Sequence, residues 1–300
     1  MTATGTVFDI GYQSYTGPRE GRMRAFTAVY KDGIRIALGL GRGPRSKALP
    51  WFFLAVLSMI GLVMAIVAGA ANLLGGEGSA EKMNLPSHSD YYGIVSMILF
   101  VFAAVVGPEL LCRDRREGTI NLYLVRPLSG SDYVFGRWLA FLSVLLVATW
   151  LPQTILFLGL CGGDPEPMKY FQTHWLDIPK FLAAGVVISA YVTTISMLVA
   201  SFTTRRAYAA VFLVGLFAIT TPFTIGASRE MEGALGQWLS MFSLTDIPLH
   251  VNDMIFGKPS EMTEHAPARE LGNAVLGLWY LAWMTVMGAV IWFKYRRLSP

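Results

Sequence analysis

The sequence predicts an all-α polytopic membrane protein, with six transmembrane helices behind an N-terminal helix lying at the membrane interface. Two observations predict the fold and a third orients it. Of 300 residues, 54% are hydrophobic and 15% charged, with a mean hydropathy of +0.48, which is more apolar surface than one water-facing core needs. Six apolar runs follow, at 51–74, 94–111, 134–160, 181–202, 207–227 and 273–293. Each is close to the about 20 helical residues that cross a hydrocarbon layer of ~30 Å. The first run is too long, and lies too far behind polar and basic residues, to be a signal peptide.

Charge supplies the orientation. With the N-terminus in the cytoplasm, the inside segments hold 18 of the 24 Lys and Arg, while the outside segments hold 13 of the 20 acidic residues. Every loop then obeys the positive-inside rule, so both termini are expected in the cytoplasm of a plasma-membrane protein. The net charge of +4 reflects one basic membrane face and requires no nucleic acid as partner. The expected organisation is a cytoplasmic segment at 1–50, a six-span domain at 51–293 and a cytoplasmic tail at 294–300. The domain includes a cytoplasmic connector at 112–133 and an extracytoplasmic segment at 228–272.

Taken in order, RMRAFTAVYKDGIRIALGL sets Phe26, Val29, Tyr30, Gly33, Ile34 and Ala37 at helical spacing, with Arg24, Lys31 and Arg35 on another face. Such a helix is expected to lie on the cytoplasmic leaflet, among membrane lipids. GLGRGPRSKALP then breaks it and acts as a hinge; it lacks the order of a phosphate loop. Cys112 and Cys161 fall on opposite sides of the bilayer and cannot pair within one chain.

The middle of each span lacks Asp, Glu, Lys, Arg and His, so an ion gradient is a poor candidate for the energy source. All four histidines fall in outside segments, and they form no metal-ligand pattern. The mild polar groups are Gln153 beside Pro152 in the third span, and Ser189, Thr193 and Ser196 along one stripe of the fourth. Close helix packing accounts for such a stripe, and a translocation path along it is the sharper alternative.

The connector is the most informative stretch. In ELLCRDRREGTINLYLVRPLSGSDYVFGRW, Glu109, Arg113 and Glu117 are four residues apart, so on a continuing helix they share a face and neutralise one another. Arg113, Arg115 and Arg116 meet the negative end of that helix. Gly118 is expected to end it, Thr119 to cap a short helix that stops before Pro127, and Ser131 or Asp132 to cap the third span. A plain chain reversal needs only a few polar residues. The reading is a docking knob showing Leu122, Tyr123 and Leu124 to a cytoplasmic partner.

These residues carry a resemblance. Glu109 and Arg113, then R-E-G-T-I-N-L-Y-L-V-R-P-L-S from Arg116 to Ser129, then Gly136-Arg137-Trp138, resemble the connector of type-2 (export class) ABC transporter permeases. SLTDIPLHVNDMIFG, after helically spaced Met231, Leu235, Trp238, Leu239 and Phe242, also resembles that family's segment between the fifth and sixth spans. The resemblance implies the type-2 ABC permease fold and a dimer with a second copy or paralogue. It also implies a partner ABC ATP-binding subunit that holds ATP and Mg, leaving this chain without a cofactor and without an enzymatic step. By the same resemblance Glu109, Arg113, Arg116, Glu117, Gly118, Thr119, Leu122, Tyr123, Leu124, Arg126, Pro127 and Ser129 form the ATPase-coupling site. Two rivals stand beside it: a non-transporting membrane scaffold, and an intramembrane protease with a Glu-x-x-x-Arg pair, which the lack of His within the spans disfavours.

Overall fold

The computed structural model describes residues 21–41, 43–76, 79–83, 85–120, 123, 128–231, 233–259, 263 and 266–297. Among them the secondary structure is helical throughout, and six helices are long and apolar enough to cross a membrane. Leu122, Leu124, Arg126 and Pro127 of the expected docking knob lie outside the described residues.

The amphipathic helix runs Arg22–Ala37 and buries Val29, Gly33 and Ala37, spaced four apart on one face. That face rests mainly on the third span, not on lipid alone as the sequence suggested. Gly33 permits the contact, since a Cβ there would come 2.6 Å from that of Ala140. Tyr30 Oη and Ser143 Oγ, 2.9 Å apart, and the stacked rings of Phe26 and Phe135 complete the seam.

Five of the six spans begin earlier than their apolar runs, the first three for legible local reasons. The first-span helix is Pro44–Gly75, and Pro44 in its first turn lacks the N–H that a helix start cannot use. The second is His88–Arg116 instead of 94–111: Ser87 and Asp90 form a capping box, so a polar stretch that reads as loop is the first helical turn. The third is Gly130–Gly162. Its cap is Ser129, not Ser131 or Asp132: Asp132 N–H donates to Ser129 Oγ at 3.1 Å and Ser129 N–H to Asp132 Oδ2 at 3.0 Å. The fourth and sixth helices are Asp177–Phe202 and Asn273–Arg296, and the fifth is Arg206–Glu230.

The second, third and fourth spans form the centre, with 67%, 50% and 61% of their apolar windows buried. The first, fifth and sixth bury only 28%, 22% and 22%, so these three present their apolar faces outward. Small residues bring the helices together. A Cβ on Gly163 would come 2.3 Å from Gly69 Cα in the first span, and one on Gly107 would strike Ser196 of the fourth.

Between the fifth and sixth spans, helices Ala234–Ser240 and Asp246–Phe256 fold back onto the bundle. The second of them buries Ile247, Pro248, Leu249, His250, Asn252 and Asp253 against the fourth, sixth and second spans. Asn252 Nδ2 donates to the Ser89 carbonyl at 3.1 Å and Lys258 Nζ to Ser87 Oγ at 2.9 Å, which ties this segment to the start of the second span.

His250 makes this segment sensitive to acid. Burial, with Arg269 nearby, lowers its pKa from 6.5 to about 4. Between those values the unfolded segment takes up a proton that the folded one refuses, so stability falls as pH drops through that window. Burial raises Asp246, which opposes the trend. Hydrogen exchange of residues 246–256, corrected for intrinsic rates, is expected to show a loss of opening free energy between pH 7 and 5 that is at most about 2 kcal/mol, the His250 contribution less that of Asp246. His250→Phe should abolish that loss. An unchanged profile in wild type would exclude this role for the buried imidazole.

Candidate functional site

The connector leaves the second span by a tight reversal. Glu117 is the C-cap, Gly118 has φ +68°, and Thr119 N–H returns to the Asp114 carbonyl at 3.0 Å. This is the Schellman closure that favours glycine at the left-handed position. The Thr119 hydroxyl also donates backward to the Asp114 carbonyl, at 3.3 Å, so its side chain helps to close the old helix end, while its own carbonyl accepts from Tyr123 N–H at 3.4 Å; the N–H groups it was expected to cap lie outside the described residues.

The charges sort into pairs that sequence spacing only partly indicated. Arg113 Nε lies 3.2 Å from Glu117 Oε1, as the four-residue spacing suggested, and Arg116 lies 3.6 Å from the same oxygen. Glu109 pairs instead with Arg206 at the start of the fifth span. Arg115 donates to the carbonyls of Ser201 and Thr203, which terminate the fourth-span helix. A cation there meets free carbonyls and the negative helix end. Glu109, Cys112, Arg113, Arg116, Glu117, Thr204 and Arg206 line a polar hollow of about 340 Å³.

Tyr123 turns inward, which corrects the expectation that it is shown outward with its neighbours. Its ring stands 5.4 Å from that of Tyr133, and its hydroxyl accepts from Arg137 Nη2 at 3.3 Å. Arg137 is fully buried; its Nη2 is 2.7 Å from Asp114 Oδ2 and its Nη1 2.8 Å from Asp32 Oδ2. Tyr133 Oη donates to Asp114 Oδ2 at 2.6 Å. Asp32 and Asp114 escaped the sequence reading. The signal was there: Asp32 is the one acid in the amphipathic helix, and Asp114 stands alone among the basic residues of Cys-Arg-Asp-Arg-Arg.

Of the four residues offered as a possible path, three make internal side-chain hydrogen bonds, and the buried Thr193 hydroxyl has no hydrogen-bond partner among the described residues. Gln153 Nε2 donates to the His88 carbonyl at 3.0 Å, and its Oε1 lies 2.6 Å from His88 Nδ1. His88 is therefore a buried partner at the end of a span and not an outside loop residue. Ser189 Oγ lies 3.3 Å from Thr149 Oγ1, Ser196 Oγ donates to the Ala103 carbonyl at 2.8 Å, and Thr193 is fully buried.

The family profile described as ABC-2 family transporter protein matches residues 49–295, from the first span to the end of the sixth. The chain belongs to the ABC-2 transporter family. No curated protein matches it. It is therefore a multi-pass membrane permease of the ABC type, a transport subunit and not itself a catalyst. Within this permease the end carrying the connector is built from paired charges. The opposite end carries the two helices that lie between the fifth and sixth spans.

The Glu109–Arg206 pair joins the second and fifth spans of the permease beside a 340 Å³ polar hollow, with the Arg206 side chain mostly exposed. Glu109→Ala should therefore act at that junction and not by releasing Arg113. In a double-mutant cycle on thermal stability in detergent, Glu109→Ala and Arg206→Ala are expected to couple by about 0.5–1 kcal/mol, the range of a partly exposed pair. Full additivity would show that the two side chains do not meet in solution.

Proposed function

We infer that this permease is the membrane half of an ATP-driven exporter, working as a dimer with two ATP-binding subunits docked at its basic end. ATP and Mg²⁺ belong to those subunits. The observation that carries the reading is the connector: a chain reversal whose base is fixed by Tyr123, Asp114 and Arg137, inside a chain that belongs to a family of ABC transporters. A connector anchored this way can transmit a push, whereas a loose loop would absorb it. Leu122 and Leu124 are the side chains assigned to a groove on the ATPase, and Arg113, Arg116 and Arg126 steer the approach toward acidic groups there.

Both termini lie in the cytoplasm in this reading, at the plasma membrane, because the basic residues collect at the connector end. Membrane lipid also has a place. Ile34, Leu38, Trp51, Leu54, Val144 and Val147 line part of an apolar groove of about 430 Å³ beneath the amphipathic helix, suited to an acyl chain. Gln153, Ser189 and Ser196, between the central spans, bond inside one copy, which favours a substrate path between two copies. The first, fifth and sixth spans, which turn most of their apolar surface outward, are the faces open to lipid and to a second copy.

The orientation is tested with single cysteines introduced into a Cys112→Ser/Cys161→Ser background. Thr204→Cys, exposed at the connector end, should stay unlabelled by an impermeant maleimide in intact cells, and Leu235→Cys should label. The reverse pattern would overturn the topology.

Docking is tested by copurification. Leu122→Ser with Leu124→Ser should leave abundance and thermal stability unchanged but lower recruitment of the ATP-binding subunit by about tenfold or more, as loss of a buried apolar anchor does. Normal recruitment by that variant would remove the docking role from these two leucines.

A further inference from the structure

We propose that Arg137 is a positioning residue for the coupling step, a latch whose breakable contact is Asp32 and whose permanent contact is Asp114. The proposal rests on the reading that an ATP-binding subunit docks on the connector. Four elements meet at one guanidinium: the amphipathic helix through Asp32, the second span through Asp114, the connector through Tyr123, and the third span through Arg137 and Tyr133. The Tyr123 and Tyr133 rings lie 5.7 and 5.5 Å from its carbon, in cation–π range. Tyr133 in turn stacks on Tyr295 at the end of the sixth span.

A purely structural role would be to neutralise a buried charge, and Asp114 does that by itself. It is buried, it accepts from Arg137 Nη2 at 2.7 Å, and it accepts a second bond from Tyr133. Asp32 is a second carboxylate that the burial of one cation does not require. Its side chain is 45% exposed, and it faces Nη1 at 2.8 Å without hydrogen-bond alignment. It can therefore take up water when it lets go, which Asp114 cannot.

Room for that movement is present. A cavity of about 420 Å³ separates the amphipathic helix from the connector, with Asp32, Arg35, Asp114, Thr119 and Tyr123 among its lining residues. A displaced connector moves the Tyr123 ring and with it the guanidinium it covers. The Asp32 contact then holds or breaks, and the amphipathic helix and third span move together or apart accordingly. This gives two discrete arrangements of one network, the requirement for carrying a signal through packed helices.

The test uses the complete permease with its ATP-binding subunits in lipid nanodiscs. Spin labels at Met23→Cys, exposed on the amphipathic helix, and Leu235→Cys, exposed beyond the fifth span, are compared without nucleotide and after trapping with ATP and vanadate. Wild type should change distance on trapping. Asp32→Asn should fold, bind the ATP-binding subunits and hydrolyse ATP, yet lose the distance change, its trapped population falling by about fivefold or more, the low end of typical coupling. Asp32→Glu should restore it.

An undiminished change in Asp32→Asn would overturn the latch while leaving the docking reading intact. Failure of Asp32→Asn to give monodisperse protein would also overturn it, since the proposal makes Asp32 dispensable for folding. Absence of any bound ATP-binding subunit on wild type would overturn the docking reading and the latch with it.

Discussion

A guanidinium can be enclosed by this helix bundle only where carboxylates meet it, and that one requirement organises the connector end. The penalty for leaving such a charge unpaired in a low-dielectric interior is several kcal/mol. The second-span helix must therefore run past its apolar residues to deliver Asp114, although its last turn is then crowded with Arg113, Arg115 and Arg116. Each of these cations finds its own partner: Glu117 for two of them, the ends of the fourth span for the third. The amphipathic helix must press against the third span closely enough to bring in Asp32. Gly33, the next residue, is the place where no side chain fits between them.

Helix class and span number were legible in the sequence because both follow from local quantities, apolar run length and charge distribution. Helix ends were legible less well. Ser87 with Asp90 and Ser129 with Asp132 are capping boxes, whose polar residues look like loop to any measure based on hydropathy. The partner of Glu109 was not legible at all: Arg113 stands one turn away in sequence, but Arg206, 97 positions on, arrives through tertiary packing. Tyr123 was misread for the same reason. Its neighbours in sequence are apolar, whereas its neighbours in space are Arg137 and Tyr133. What did carry through was the glycine: Gly118 ends its helix with a positive φ, as the Glu-Gly-Thr order implies.

Hydropathy also treats the six spans alike, and the fold does not. All six are comparably apolar, while the buried share varies threefold, from 22% to 67%. In water such an exposed apolar surface would signal an interface. In a bilayer, lipid satisfies it, so exposure alone does not separate a lipid-facing helix from one that meets another subunit. Polarity gives the sharper distinction. The side-chain hydrogen bonds inside the bundle gather on the central spans, as Gln153 with His88 and Ser196 with the Ala103 carbonyl do; the first and sixth spans take part through Tyr91 Oη to the Leu57 carbonyl and Tyr280 Oη to the Val187 carbonyl.

The second span links these two levels of organisation. Its 29 helical residues extend about 43 Å at the usual rise, from Ser87 and Ser89, which receive Lys258 and Asn252, to Asp114, which receives Arg137. A continuous helix of that length would pass any displacement of the connector straight to the helices between the fifth and sixth spans. Pro108 interrupts the ladder by removing one backbone donor, and helices that bend sharply do so at such sites. Directly after it, Glu109 is tied to Arg206 of the fifth span. The eight residues beyond the proline thus form a short lever, held by the fifth span on one side and by Arg137 on the other. The longer part of the helix stays packed in the core. The displacement proposed for the connector would therefore meet the third, fourth and fifth spans, through Arg137, Arg115 and Arg206, before the far end. The charged and polar contacts at this end, and not the length of the second span alone, tie the connector to the rest of the bundle.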